Sequence, residues 1–193
     1  MTVPALDPTL HLTLRAALSL LFLWSASHKL RDAAGFQGVL ANYRLLPDRW
    51  IASTVAVLVA AELCVAGGLW LPGLGADAAC ATAGLLALYA GAIAINLIRG
   101  RRDIDCGCAG VAAHQPLSAA LVVRNGVFAA AALASALPVA PRSLRWIDGI
   151  TVLASVTTLA LLYAAVDGLL VNAPRIRTMT RITSHQSRVT SHA

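Results

Sequence analysis

Lysine and glutamate are almost missing from this sequence: Lys29 is its one lysine and Glu62 its one glutamate. Charged residues make up 12% of the chain and aromatics 5%, against 58% hydrophobic residues and a mean hydropathy of +0.72. That poverty of charge excludes a soluble domain with one core, so lipid is the expected solvent. The cations outnumber the anions 15 to 9, but they fall between long uncharged runs and not along one face. Nucleic-acid binding is excluded on that distribution. The use of arginine in place of lysine fits a GC-rich coding sequence and needs no guanidinium chemistry. Four cysteines are too few for a secreted disulfide scaffold. The first apolar run lacks both a basic segment before it and a small-residue cleavage site after it, so it is expected to stay as a helix.

What is present is a succession of apolar runs of membrane-spanning length. A spanning helix needs about 20 mostly apolar residues, and five runs qualify: 10–27, 51–71, 76–98, 117–137 and 147–171. The expected fold is therefore all-α, a polytopic transmembrane bundle with a four-helix core and a fifth C-terminal transmembrane helix. The integral domain covers 1–171, and 172–193 reads as a basic, disordered tail in which Thr183-Ser184-His185 is echoed by Thr190-Ser191-His192. Between the first two runs, Phe36, Val39, Leu40, Tyr43 and Leu46 recur at helical spacing until Pro47, the pattern of a helix lying in the membrane interface. Pro72-Gly73 forms a tight hairpin, and Pro138 and Pro141 bracket the last connection. Trp24, Trp50, Trp70 and Trp146 lie at or near span ends, as an aromatic belt requires.

Orientation follows from the retention of Lys and Arg on the cytoplasmic side of short loops. The side bearing the first loop, the 99–116 loop and the tail carries 11 cations, against Arg15, Arg142 and Arg145 on the other. The 99–116 loop and the C-terminus are thus expected in the cytoplasm.

That loop holds the chemistry: Asp105-Cys106-Gly107-Cys108-Ala109-Gly110. Cysteines one residue apart have Cα atoms at most about 7 Å apart, against about 4.4–6.8 Å across a disulfide, so a bend at Gly107 makes a bridge possible. A strained ring of that size favours an exchanging disulfide over a structural one. Arg99, Arg101 and Arg102 upstream would stabilise a thiolate, while Asp103 and Asp105 oppose it. Two other readings stand beside redox exchange: a metal site with Cys106, Cys108 and His114 as ligands, and two idle thiols.

Inside the spans, Glu62 is an expensive carboxylate that needs a partner or a proton. Arg124, with Asn125, is its expected partner across the bundle, with snorkelling of Arg124 as the alternative. Asn96 reads as a polar contact between helices. Cys64 and Cys80 are equidistant from Pro72 and so lie at similar depth in adjacent antiparallel helices, either as a second dithiol or as small buried hydrophobes. Lys29, with Ser27, His28, Leu30, Arg31 and Asp32, reads as an interfacial anchor, or as part of a site beneath the loop.

Taken together, Lys29-Leu30-Arg31-Asp32, Asn42-Tyr43-Arg44-Leu45-Leu46-Pro47, Glu62-Leu63, Asn96-Leu97-Ile98-Arg99-Gly100-Arg101, Asp105-Cys106-Gly107-Cys108 and Arg124-Asn125 resemble the MauE family, related to DoxX-like membrane proteins. The resemblance runs from the first span through the fourth. It implies a helical bundle of the bacterial inner membrane, associated with methylamine utilisation. It also implies a role in maturing the disulfide-rich small subunit of methylamine dehydrogenase, alongside a thioredoxin-like partner. A thiol-disulfide oxidoreductase of this kind would use Cys106 and Cys108, with Gly107, Asp105, Gly110, Arg99, Arg101, Glu62, Arg124 and Asn125 supporting, and would pass electrons to that partner or to a membrane quinone. The non-catalytic alternative is a membrane assembly or transport factor with structural or metal-bound cysteines. Ala109 stands where the family commonly has Phe, and the basic tail has no counterpart in the resemblance. The client matures in the periplasm while the charge count puts the cysteines in the cytoplasm, which a transmembrane relay or the reverse orientation would reconcile.

Overall fold

The computed structural model describes residues 5–107 and 115–190. Its helices are α1 (Pro8–Arg31), α2 (Ala33–Tyr43), α3 (Ile51–Gly68, entered through a 3-10 turn at Asp48–Trp50), α4 (Gly75–Ile98), α5 (Ala119–Ala134) and α6 (Trp146–Thr190). No strand occurs among the described residues, only two isolated bridges. α1, α3 with its entry turn, α4 and the 146–169 part of α6 are long and apolar enough to cross a membrane. The protein is a polytopic helical membrane protein.

Local signals place these helices. Asp7 caps α1 by accepting a hydrogen bond from the Thr9 amide at 2.8 Å, and Pro8 opens the helix where its missing N–H costs nothing. Asp32 ends α1 and caps α2, its carboxylate accepting from the Gly35 amide at 2.9 Å. Arg44, left-handed at φ 48°, closes α2. Gly73, at φ 80°, makes the hairpin between α3 and α4.

The bundle has two buried centres. Leu18, Phe22, Val65, Ala66, Leu69, Ala79, Ala83, Leu86 and Ala132 join α1, α3, α4 and α5 toward one end, where the alanines let helices approach closely. At the other end Phe36, Val39 and Tyr43 of α2 meet Val55, Ile93, Ile104, Cys106, Leu117 and Leu121. The apolar face of α2 is therefore buried against the protein. The expected helix exists, but it caps the bundle and does not lay Phe36, Val39 and Tyr43 into lipid.

Three further expectations change. The fourth run is shorter than a full span: α5 has 16 residues, about 24 Å of rise against an apolar slab of about 30 Å, because Gln115–Leu117 is extended and Ser135 ends the helix. Helical backbone continues through Thr190, into the segment expected to be a disordered tail. Cys64 and Cys80 lie exposed on the outside of the bundle, because the helix faces that carry them point away from its core. They are neither a facing dithiol nor buried hydrophobes.

Candidate functional site

The loop after α4 doubles back on itself. The Cys106 amide donates to the Gln115 carbonyl at 2.8 Å and the Leu117 amide to the Ile104 carbonyl at 3.1 Å, with an antiparallel bridge between Asp105 and Pro116. This clamp brings 104–107 under α2. Cys106 is buried, and its carbonyl accepts a long 3.4 Å hydrogen bond from the Tyr43 hydroxyl. Gly107 has φ 72°, and a Cβ on it would sit 3.0 Å from both Phe36 and Val39. The bend expected at Gly107 is present, and both its backbone angle and the lack of space require glycine.

Arg101 reaches the Tyr43 carbonyl at the C-terminus of α2 at 3.3 Å and the Asn96 side-chain oxygen at 3.4 Å. It thus ties α2 to α4, a favourable place for a cation at a helix C-terminus. Asn96 is fully buried and donates to the Ala92 carbonyl of its own helix. Arg99 and Arg102 are exposed. Cys108, Gly110 and His114 lie outside the described residues, as therefore does the proposed three-ligand metal set.

Beneath α2 lies a cluster that sequence reasoning placed only in part. The sole lysine and the sole glutamate meet: Lys29 Nζ is 2.5 Å from Glu62 Oε1, with the side chains 4% and 0% exposed. Oε1 also accepts from the Ser25 hydroxyl at 2.9 Å and the Tyr89 hydroxyl at 2.8 Å. Lys29 donates as well to Ser25 at 2.6 Å and stands over the rings of Phe36 at 5.0 Å and Tyr89 at 5.4 Å. Such crowding of donors and rings is what keeps a charged pair tolerable in a low dielectric. Phe36 thus touches the ammonium on one side and crowds Gly107 on the other.

Arg124 is not the partner of Glu62. It pairs with Asp167 of α6 at 2.8 Å and lies 5.5 Å from the centre of the Tyr163 ring. Two salt bridges with different partners replace the single expected one, because Lys29 is one α1 turn from Ser25 and faces α3, while Arg124 faces α6. Asp167 also accepts from the Gln115 side chain at 2.9 Å, joining α6 to the clamp of the cysteine loop. Asn125 is buried and donates to the Leu121 carbonyl at 2.8 Å. The signal for Lys29 was visible as the single lysine among arginines, one turn after Ser25 at the end of an apolar run. Asp167, one residue before Gly168 in the last run, gave no comparable signal.

A helical membrane bundle with two intramembrane ion pairs and a capped Cys-Gly loop defines the class. The MauE family profile, described as methylamine utilisation protein MauE, matches residues 7–138. Methylamine utilization protein MauE of Paracoccus denitrificans is 45% identical over 163 residues, 82% of this chain and 86% of that protein. The proteins of the same name from Methylorubrum extorquens and Methylophilus methylotrophus are 43% and 37% identical, over 82% and 83% of this chain and 87% and 86% of theirs. The chain belongs to the MauE family. No solved structure matches it.

Proposed function

We propose that this protein is a thiol-disulfide redox factor of the methylamine-utilisation system, working in the inner membrane through Cys106 and Cys108. The observation that carries the reading is the Gly107 turn: a left-handed glycine beside a buried cysteine, wedged against Phe36 and Val39. A bend at a glycine between two cysteines makes a bridge between them possible. In exchange, the thiolate of one cysteine attacks a partner disulfide, whose S–S bond breaks as a mixed disulfide forms. The second cysteine then displaces the partner, leaving Cys106 and Cys108 oxidised and the partner reduced. The reverse sequence oxidises the partner. A thioredoxin-like protein is the fitting partner, with the disulfide-rich small subunit of methylamine dehydrogenase as the eventual client. The cation count favours the cytoplasmic side for the loop, so reaching a client that matures in the periplasm requires a transmembrane relay or the reverse orientation.

Cys106→Ser and Cys108→Ser, made singly, are expected to abolish methylamine dehydrogenase maturation, and one of them to trap a partner as a mixed disulfide. Full maturation in both variants contradicts the proposal. The second reading, a non-catalytic assembly or transport factor, draws on the Lys29–Glu62 pair. It predicts that Glu62→Gln abolishes maturation while both serine variants retain it.

A further inference from the structure

Cys106 is held where a second protein does not reach. It is 5% exposed and belongs to the apolar centre in which Phe36, Val39 and Tyr43 of α2 meet Ile93, Ile104 and Leu121. Its backbone is fixed on both sides, since the amide donates to the Gln115 carbonyl at 2.8 Å and the carbonyl accepts from the Tyr43 hydroxyl. Drawing Cys106 to the surface would break that clamp and expose the apolar centre in one step.

The cover over it is fastened at both ends. Asp32 joins α1 to α2 and caps α2 through the Gly35 amide, while Arg101 holds the Tyr43 carbonyl at the other end. Between these two points Phe36 and Val39 press on Gly107, the next residue after Cys106, with no room there for a Cβ. Thiol-disulfide exchange depends on access, because the attacking sulfur has to reach a sulfur of the partner's disulfide. A sulfur under a pinned helix does not meet the disulfide of a folded partner.

We infer that the pair works in a fixed order, in which Cys108 meets the partner and Cys106 resolves from beneath α2. The order rests on the thiol-disulfide reading above. The Cys108 thiolate attacks the partner's disulfide, and a Cys108–partner S–S bond forms as the partner's own bond breaks. The Cys106 thiolate then attacks the Cys108 sulfur, closing the Cys106–Cys108 bond and releasing the partner as a dithiol. The two protons given up by the cysteines end on the two partner sulfurs. In reverse, a partner thiolate attacks Cys108 and Cys106 is the leaving group. α2 thus confines the mixed disulfide to Cys108 in both directions.

The test uses full-length protein in nanodiscs, with Cys64→Ala and Cys80→Ala and either Cys106→Ser or Cys108→Ser, so that one loop thiol remains. Each form is reduced and labelled with polyethylene glycol maleimide, a reagent of protein-like bulk, and helicity is checked by circular dichroism. The Cys106→Ser form is expected to label at least tenfold faster than the Cys108→Ser form. Phe36→Ala, which thins the cover, is expected to speed labelling of the Cys108→Ser form. With oxidised thioredoxin as the probe, a mixed disulfide is expected to accumulate on the Cys106→Ser form and not on the Cys108→Ser form. Equal labelling of the two forms, or a mixed disulfide on the Cys108→Ser form, overturns the order. A tenfold labelling difference with no mixed disulfide on either form overturns the thiol reading itself, and leaves the cover over Cys106 standing.

Discussion

At the scale of single residues, the Lys29–Glu62 pair is the most consequential contact in the molecule. Neither side chain has water to fall back on, so removing one partner leaves a charge stranded in the bundle. Lys29→Met is expected to destabilise the protein by about 3–5 kcal/mol, and the double change Lys29→Met/Glu62→Met to recover most of that loss. Unfolding in detergent by graded denaturant reads both. Equal stability of the single variant and the parent would show that the pair is not a buried charge pair in the membrane. Gly107 is the second sensitive position. Gly107→Ala places a Cβ 3.0 Å from Phe36 and Val39 on a backbone at φ 72°, adding about 1–2 kcal/mol of backbone strain to the crowding. The expected outcome is a normally folded bundle with altered alkylation rates at the loop cysteines, measured by mass shift. Rates unchanged from the parent would mean that the turn does not set the reactivity of the cysteines.

At the scale of elements, a polar clasp fastens the start of α1 to the connection between α5 and α6. Arg142, between α5 and α6, bonds Asp7, Thr9 and Asp148, while the Leu6 amide donates to the Pro138 carbonyl and the Ala140 amide to the Leu6 carbonyl, both at 2.8 Å. The Arg142 guanidinium and the Thr9 amide hold the Asp7 carboxyl below its ordinary value of 3.8, and Asp148 and Asp7 together raise Arg142, which stays charged throughout. Because the folded pKa of Asp7 is lowered, its contribution is present above the ordinary aspartate range and lost as pH falls through the lowered value. Thermal stability is therefore expected to drop in acid, by less in Asp7→Asn; identical acid profiles would remove the clasp from the account. The elements themselves were largely legible, since hydropathy marks apolar runs of helix length and Asp7, Asp32 and Gly73 mark ends and turns. The start of α5 was not, because Leu117 is as apolar in an extended clamp as in a helix. The burial of α2 was hidden for the same reason: period shows that Phe36, Val39 and Tyr43 share a face, but not whether lipid or protein covers it. Of the site, Gly107 was readable from its place between cysteines. The partner of Glu62 was not, because Lys29 and Arg124 are both cations at helix positions, and only packing decides which one faces α3.

At the scale of the whole molecule, the parts connect end to end. Glu62 holds Lys29, Lys29 lies under Phe36, Phe36 packs on Gly107, and the returning segment of the loop reaches α6 through Gln115 and Asp167. The cysteine turn thus contacts α2, whose Phe36 lies over the buried pair, and Gln115 ties the same loop to α6. Cys106 and Cys108 are proposed to form a reversible pair. The most direct measurement is their alkylation state by mass spectrometry, in purified protein equilibrated across graded glutathione redox buffers. Both cysteines are expected to become protected together at one midpoint and to be released together on reduction. Cysteines that stay alkylated independently of each other across the whole series would contradict it.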